Sequence, residues 1–191
     1  MEKQEQEQWQ GAAEALLPST PAATAWPHIA DFFALHRYLP GIDVCKPVDG
    51  SDEVRPGCVR YCASLAPGTA EEEVATWARE ELVEFDAGQR RLAYAVVGSN
   101  MGFGRYVASM AILPLGEESP EVVDAGGGGG DQGCRLVWAF ECDPVPGWTR
   151  DGLLGYLDGG VKSIAARIEE AAAAGGAIPP VVAVGGGAVA A

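Results

Sequence analysis

The sequence predicts an α+β domain in which an antiparallel sheet of about seven strands packs against a long C-terminal helix. Two observations support this prediction. Strand-like segments follow one another at short intervals, and strands joined by short loops pair antiparallel. One long segment near the C-terminus instead repeats its apolar residues at helical spacing. The apolar face of the sheet is the only large partner against which that helix can be buried.

The first part of the chain is predicted to hold one strand and one helix. Residues 1–8 are polar and acidic, and we interpret them as a disordered N-terminus. A first strand is predicted over residues 9–17, and Pro18 stops it. Residues 22–38 have a helical pattern that ends before Pro40. Further strands are predicted over residues 42–48, 57–65, 74–85, 90–98, 103–115 and 133–142.

Five consecutive glycines, residues 126–130, lie in the long connection between the last two predicted strands. Glycine-rich loops can cradle phosphates, but a phosphate-binding loop follows a strand, opens a helix and carries a Lys-Ser/Thr pair. The glycine run has neither feature. We therefore interpret it as a flexible linker.

The C-terminal helix is predicted from a stripe of apolar residues. The stripe consists of Leu153, Leu157, Val161, Ile164 and Ile168. Four glycines interrupt the segment, and each weakens an isolated helix by roughly 1 kcal/mol relative to alanine. Packing must therefore hold the helix in place. The stripe ends near Glu170, so the folded domain is predicted over residues 9–174, and the Gly/Ala/Val/Pro-rich residues 175–191 are predicted to form a disordered tail.

The composition fits one globular domain and disfavours two classes of partner. The 191 residues are 48% hydrophobic, which is enough for one sizeable core. The formal net charge of −14 disfavours nucleic acid and anionic membrane surfaces, because both need clustered Lys and Arg. No apolar run is long enough to span a bilayer. We expect neither a nucleic acid nor a membrane as partner, and protein partners stay open.

The cysteines indicate a reducing compartment. Their number, five, is odd, so they cannot all pair within the chain, and the N-terminus lacks the features of a secretory signal. We interpret them as reduced thiols of a cytoplasmic, or also nuclear, protein. Cys58 and Cys62 are about 13 Å apart along one strand, too far to bridge. His28 and His36, the only histidines, are expected in surface or packing roles, and no metal or cofactor is predicted.

Three strand segments each place one polar group among apolar residues, and these groups are Arg60, Glu80 and Tyr106. A buried charge without a partner is costly, so the arginine and the glutamate should be paired or belong to a site. The pattern alone leaves two alternatives open. The three groups line a ligand cavity with a few placed polar contacts, or the two charges form a structural ion pair.

Several motifs, taken in order and spacing, resemble one protein superfamily. They are residues 31–36 (DFFALH), 56–61 (PGCVRY), 77–80 (WARE), 102–106 (GFGRY) and 137–142 (VWAFEC). The resemblance is to the helix-grip fold of the Bet v 1-like and START-like proteins, the polyketide cyclase/dehydrase and lipid transport superfamily. It is closer to the plant lachrymatory-factor synthase-like branch and runs from Trp9 to about Glu170. It implies a curved sheet gripping the long helix around an apolar cavity.

The resemblance also implies an activity and a set of site residues. The catalytic arginine, glutamate and tyrosine of that branch correspond to Arg60, Glu80 and Tyr106 by motif position. The enzymes of that branch rearrange a sulfenic acid to a thial S-oxide by moving a proton, without a metal or redox cofactor. A small lipophilic ligand or substrate is the implied partner. The ligand-binding residues predicted for the cavity are Tyr94, Phe103, Leu92, Ala108, Trp138 and Leu157.

The alternative function is a non-catalytic carrier of lipophilic molecules or a protein similar to hormone receptors. The abscisic-acid receptors, which share the helix-grip fold, resemble the chain at the same three polar residues. Their carboxylate-binding lysine aligns near Leu39, which cannot pair with an acid. Residues 64–68 and 101–103 match the receptors' gate and latch loops poorly. We therefore do not expect abscisic-acid binding.

Overall fold

The computed structural model describes residues 8–68, 73–116 and 133–175. The predicted disorder of residues 1–7 and 176–191 and the glycine run at 126–130 lie outside the described residues. The elements are β1 (Trp9–Leu17), α1 (Ala22–Ala30), a 3-10 turn (Leu35–Arg37), β2 (Val44–Pro47), β3 (Val59–Leu65), β4 (Val74–Asp86), β5 (Arg91–Ser99), β6 (Tyr106–Pro114), β7 (Cys134–Cys142) and α2 (Arg150–Ala173). The predicted α+β class is confirmed.

The strands form one sheet in the order β1-β7-β6-β5-β4-β3-β2, and every neighbouring pair is antiparallel. Strands β2 to β7 follow one another as a meander, as short loops predict. The first strand, β1, pairs with the last one, β7, with Trp9 opposite Cys142 and Leu17 opposite Cys134. Helix α1 and the apolar stripe of α2 pack against the concave face of the sheet.

Helix α2 is held by its apolar stripe and by a cap. All five predicted stripe residues are buried, and Val161, Ile164 and Ile168 have no exposed surface. At the N-terminus the Thr149 hydroxyl accepts a hydrogen bond from the Gly152 backbone N–H at 3.0 Å, which satisfies one of the unpaired donors of the first turn. No helix in the described ranges is long and apolar enough to cross a bilayer.

The prediction of one helix over residues 22–38 is wrong in length. Helix α1 ends at Ala30, and only the 3-10 turn follows. Pro27 lies inside α1, where it cannot donate a helical hydrogen bond and so weakens the helix. The early end has a consequence for the site. The Phe32 carbonyl takes no part in helical hydrogen bonding, and it accepts a hydrogen bond from Arg60 Nη1 at 2.8 Å.

Gly160 is the point of closest approach between α2 and the sheet. A Cβ atom at this position would lie 2.9 Å from the ring of Trp138 and 3.2 Å from Leu39. The Trp138 ring cannot move aside easily, because its Nε1 donates a hydrogen bond to the Tyr94 hydroxyl at 3.1 Å. Gly159, the preceding residue, has open space where its Cβ would be.

We expect Gly160→Ala to lower the free energy of unfolding by about 1–3 kcal/mol, because overpacking outweighs the gain in helix propensity. Gly159→Ala is the matched control, since it changes helix propensity without a clash. It should raise the free energy of unfolding by up to about 1 kcal/mol. Urea denaturation of both variants measures the two effects. Equal stabilisation by both would show that α2 does not pack closely on Trp138.

Candidate functional site

A cavity of about 280 Å³ lies between the sheet, the 3-10 turn and the start of α2. Most of its lining is apolar, including Leu35, Leu39, Ile42, Val96, Met101 and Leu153. A few polar side chains interrupt this wall, among them Ser64, Thr76, Glu80, Tyr94 and Tyr106. An apolar pocket with a small number of placed polar groups is the usual form of a small-molecule site.

Glu80 reaches the cavity wall from β4 and is tied to Arg60 on β3. The two residues are directly opposite each other in the β3–β4 register. Arg60 Nε donates a hydrogen bond to Glu80 Oε2 at 2.7 Å. No further hydrogen bond to the carboxylate is present among the described residues. Because Glu80 lines the cavity, its remaining lone pairs are left for a bound molecule.

Arg60 is enclosed behind Glu80 and is absent from the cavity lining. The residue is only 3% exposed. Its guanidinium carbon lies 4.1 Å from the centre of the Phe32 ring and 4.9 Å from that of Tyr94, which is the geometry of cation–π contacts. Burial is the largest single influence on the pKa of Arg60 and lowers it, but the charge of Glu80, together with the smaller effects of neighbouring groups, outweighs burial and raises the pKa above its ordinary value. The guanidinium therefore stays charged.

The enclosed guanidinium is fully occupied except at one nitrogen. Nε binds Glu80 and Nη1 binds the Phe32 carbonyl, while Nη2 has no hydrogen-bond partner in the described part of the chain. Arg60 also borders a second, much smaller space of about 10 Å³, shared with His28, Tyr38 and others. That volume is about the size of one water molecule, so it cannot hold a ligand.

Two phenols, Tyr94 and Tyr106, also line the cavity. The Tyr94 hydroxyl accepts a hydrogen bond from Trp138 Nε1, and its own O–H stays free to donate one to a ligand. The Tyr106 ring is stacked on Phe140 with centres 6.2 Å apart, and its hydroxyl makes no hydrogen bond within the described ranges. Burial, followed by the negative charge of Glu80, raises the pKa of both tyrosines. Both are neutral donors at physiological pH.

The structure brings together five of the nine predicted site residues at the cavity wall. These five are Glu80, Tyr94, Phe103, Tyr106 and Trp138. Arg60 lies behind the wall. The other three, Leu92, Ala108 and Leu157, are at most 2% exposed but lie outside the lining. The cavity occupies only one end of the space under the sheet, and close packing with α2 fills the rest.

Trp148 and Tyr156 line the cavity mouth but were missed by the sequence analysis. Their ring centres are 6.0 Å apart in an edge-to-face contact. Both side chains are more than 40% exposed. Tyr156 follows Leu153 by three residues and therefore lies on the flank of the apolar stripe of α2, but the stripe did not include it. The available signal was the clustering of two aromatic residues at the start of one helix.

Cys45 and Cys62 form a contact that the sequence analysis also missed. Their sulfur atoms are 3.3 Å apart, because the two residues are opposite each other in the β2–β3 register. All five cysteines are free thiols. The hydrogen bond from Cys62 lowers the pKa of Cys45 to about 7, against the effect of burial. Cys62 lines the cavity and Cys45 does not, so the contact links the cavity wall to β2.

The two histidines lie away from the cavity lining. His28 Nδ1 shares a hydrogen bond of 2.8 Å with the Tyr38 hydroxyl, and burial lowers the pKa of His28. Within the described ranges, no group of three or more His, Cys, Asp or Glu side chains could hold a metal ion.

Comparison with known proteins agrees with this geometry. A protein-family model described as polyketide cyclase / dehydrase and lipid transport matches residues 12–173, a range that includes every cavity residue. The fold is similar to that of protein XoxI from Bacillus cereus, with a TM-score of 0.57 and 17% sequence identity, over 86% of this chain and 94% of that one.

Two further solved structures share the fold. An uncharacterised protein from Bacillus thuringiensis is 17% identical, with a TM-score of 0.58, over 85% of this chain and 98% of that one. Major latex-like protein 151 from Panax ginseng is 15% identical, with a TM-score of 0.56, over 85% of this chain and 96% of its own. At such identities the likeness concerns the fold alone.

Proposed function

The chain belongs to the polyketide cyclase/dehydrase and lipid transport family, and we propose that it binds one small lipophilic molecule in the cavity around Glu80. The observation that carries this proposal is the composition of the wall. It is a cavity of about 280 Å³, mostly apolar, with one carboxylate and neutral phenols as polar contacts. Such a wall buries an apolar skeleton and orients it through one polar group.

We further propose that Glu80 moves a proton in the bound molecule, as in the lachrymatory-factor synthase-like branch that the motifs resemble. Glu80 takes the O–H proton of a sulfenic acid and returns it to the alkene carbon remote from sulfur. The product is the isomeric thial S-oxide, so atoms and charge balance. Arg60 holds Glu80 in place through Oε2, and the neutral Tyr106 hydroxyl is free to donate to the substrate oxygen.

The alternative is a carrier that releases its ligand unchanged, and one observation favours it. In the synthase hypothesis the arginine stabilises negative charge that develops on the substrate. Arg60 is enclosed by Glu80, Phe32 and Tyr94 and does not reach the cavity. A carrier needs only the apolar wall and one hydrogen-bonding partner, and Glu80 supplies that partner without any proton transfer.

Five free thiols suit a reducing compartment. On this ground we propose that the protein is located in the cytoplasm or nucleus.

Filling the cavity tests the binding proposal. The neutral fluorophore N-phenyl-1-naphthylamine should bind the wild-type protein at close to one molecule per chain, with enhanced emission. Ala78→Phe should reduce its affinity at least about tenfold, because Ala78 lines the cavity and the added ring occupies the space. Ala139→Phe is the matched control, since Ala139 lies on β7 outside the lining. Equal losses in both variants, or no binding by the wild type, would contradict the proposal.

A further inference from the structure

Glu80 is the only charged residue among the described residues that line the cavity. Its partner Arg60 sits on the far side of the carboxylate and is closed off by two aromatic rings and a backbone carbonyl. A bound molecule therefore meets the anionic member of the pair and not the cationic one. No lining residue in the described ranges can give a carboxylate or phosphate ligand an ionic partner.

We propose that the ligand is a lipophilic amine, bound as its ammonium form with the charged head at Glu80 and the apolar skeleton in the rest of the cavity. This inference rests on the proposed ligand-binding function in its carrier form, in which Glu80 anchors the ligand and moves no proton, and it names the chemical class that the site selects.

The second argument for an ammonium head is the aromatic content of the wall. Seven aromatic residues line the cavity, namely Trp77, Tyr94, Phe103, Tyr106, Trp138, Trp148 and Tyr156. Ring faces attract cations, and cavities walled by aromatic side chains recognise ammonium ligands in this way. The Tyr106 hydroxyl, which has no hydrogen-bond partner in the described part of the chain, adds one neutral acceptor.

The hydrogen bonding of Glu80 gives the third argument. Oε2 is bound to Arg60 Nε at 2.7 Å, and Oε1 is unoccupied by any described residue. An ammonium group donates to this oxygen a hydrogen bond in which both partners are charged, whereas in the bond that a neutral alcohol makes only the acceptor is charged. A carboxylate ligand in the same position would face a like charge and would lose its own hydration without replacement.

The size of the cavity limits the skeleton. The volume of the cavity is about 280 Å³. This volume lies at the lower end of the range for small-molecule pockets. A skeleton of one to three aromatic rings fits it, whereas a long-chain lipid does not.

Three probes that share one skeleton test the inference in the wild-type protein. They are 3-phenylpropylamine, 3-phenylpropan-1-ol and 3-phenylpropanoate, which are cationic, neutral and anionic at pH 7. Each is titrated against bound N-phenyl-1-naphthylamine, and the displacement gives its affinity. We expect the amine to bind about tenfold more tightly than the alcohol, and the acid at least about tenfold more weakly than the alcohol.

Glu80→Gln adds a second measurement. The amide keeps the shape of the side chain but removes its charge, so the affinity of the protein for the amine should fall about tenfold, to that for the alcohol. The affinity of the alcohol should change less than about threefold. Glu81→Gln is the matched control, because Glu81 is the next residue of β4 and lies outside the lining. It should leave the ranking of all three probes unchanged.

The outcomes separate the two proposals. If the fluorophore does not bind the wild-type protein, the proposed ligand-binding function fails and the inference falls with it. If the fluorophore binds but the amine displaces it no better than the alcohol or the acid, the inference is overturned and ligand binding stands. These two comparisons need only the wild-type protein, so they hold even if the Glu80 variant folds poorly.

Discussion

Replacing Arg60 with methionine is expected to lower the free energy of unfolding by about 3–5 kcal/mol, which is the usual cost of removing one partner of a buried ion pair. Arg60 is 3% exposed, and its removal leaves the Glu80 carboxylate without its cation at a site that is only 13% exposed. The Phe32 carbonyl loses its donor in the same step. Guanidinium chloride denaturation measures the loss.

A matched control and a double variant identify the cause. Arg91→Met breaks the exposed ion pair with Glu84, whose two side chains are 40% and 49% exposed, and should cost less than about 1 kcal/mol. The double variant Arg60→Met, Glu80→Leu should recover most of the stability, because neither charge is left buried. If the double variant is as unstable as Arg60→Met alone, the loss comes from the Phe32 contact and not from the unpaired carboxylate.

The strands could be predicted from sequence because each has a local signal. Alternation and turn residues place all seven strands within a few residues of their observed bounds. The pairing of β1 with β7 follows from the superfamily resemblance rather than from any local pattern. The end of α1 was missed because the apolar spacing continues to Tyr38. Pro27 weakens the helix from within, and the packing of Phe32 against Arg60 is a tertiary contact that the local pattern does not contain.

The candidate site was predictable as a set of residues but not as a geometry. Alternation identifies the inward side chains of β3 and β4, and their neighbouring positions make Arg60 and Glu80 partners. Which of the two meets the cavity depends on the Phe32 carbonyl and the Tyr94 ring, and no local pattern contains those contacts. The contact between Cys45 and Cys62 needs the β2–β3 register for the same reason.

The second large effect is expected on turnover. If the protein isomerises a sulfenic acid, Glu80→Gln should lower the rate by about 10²–10⁴-fold, which is the usual contribution of a positioned acid–base group. The amide cannot exchange a proton at neutral pH, although it still fills the same space beside Arg60. The substrate, 1-propenesulfenic acid, is generated in situ, and the thial S-oxide is followed by gas chromatography. Binding of N-phenyl-1-naphthylamine to the same variant should stay within about threefold of wild type.

The Tyr106→Phe variant shows whether the phenol takes part in the same step. Its hydroxyl lies at the cavity wall and carries no protein hydrogen bond among the described residues, so its removal should lower turnover without the loss of stability that accompanies Arg60→Met. The stacked contact with Phe140 survives this substitution, because only the oxygen is removed. Glu81→Gln serves as the control that leaves the cavity unchanged. Wild-type protein that binds the fluorophore but forms no thial S-oxide above the protein-free background would exclude the synthase hypothesis, and Glu80 would then act only as the polar anchor of a carrier.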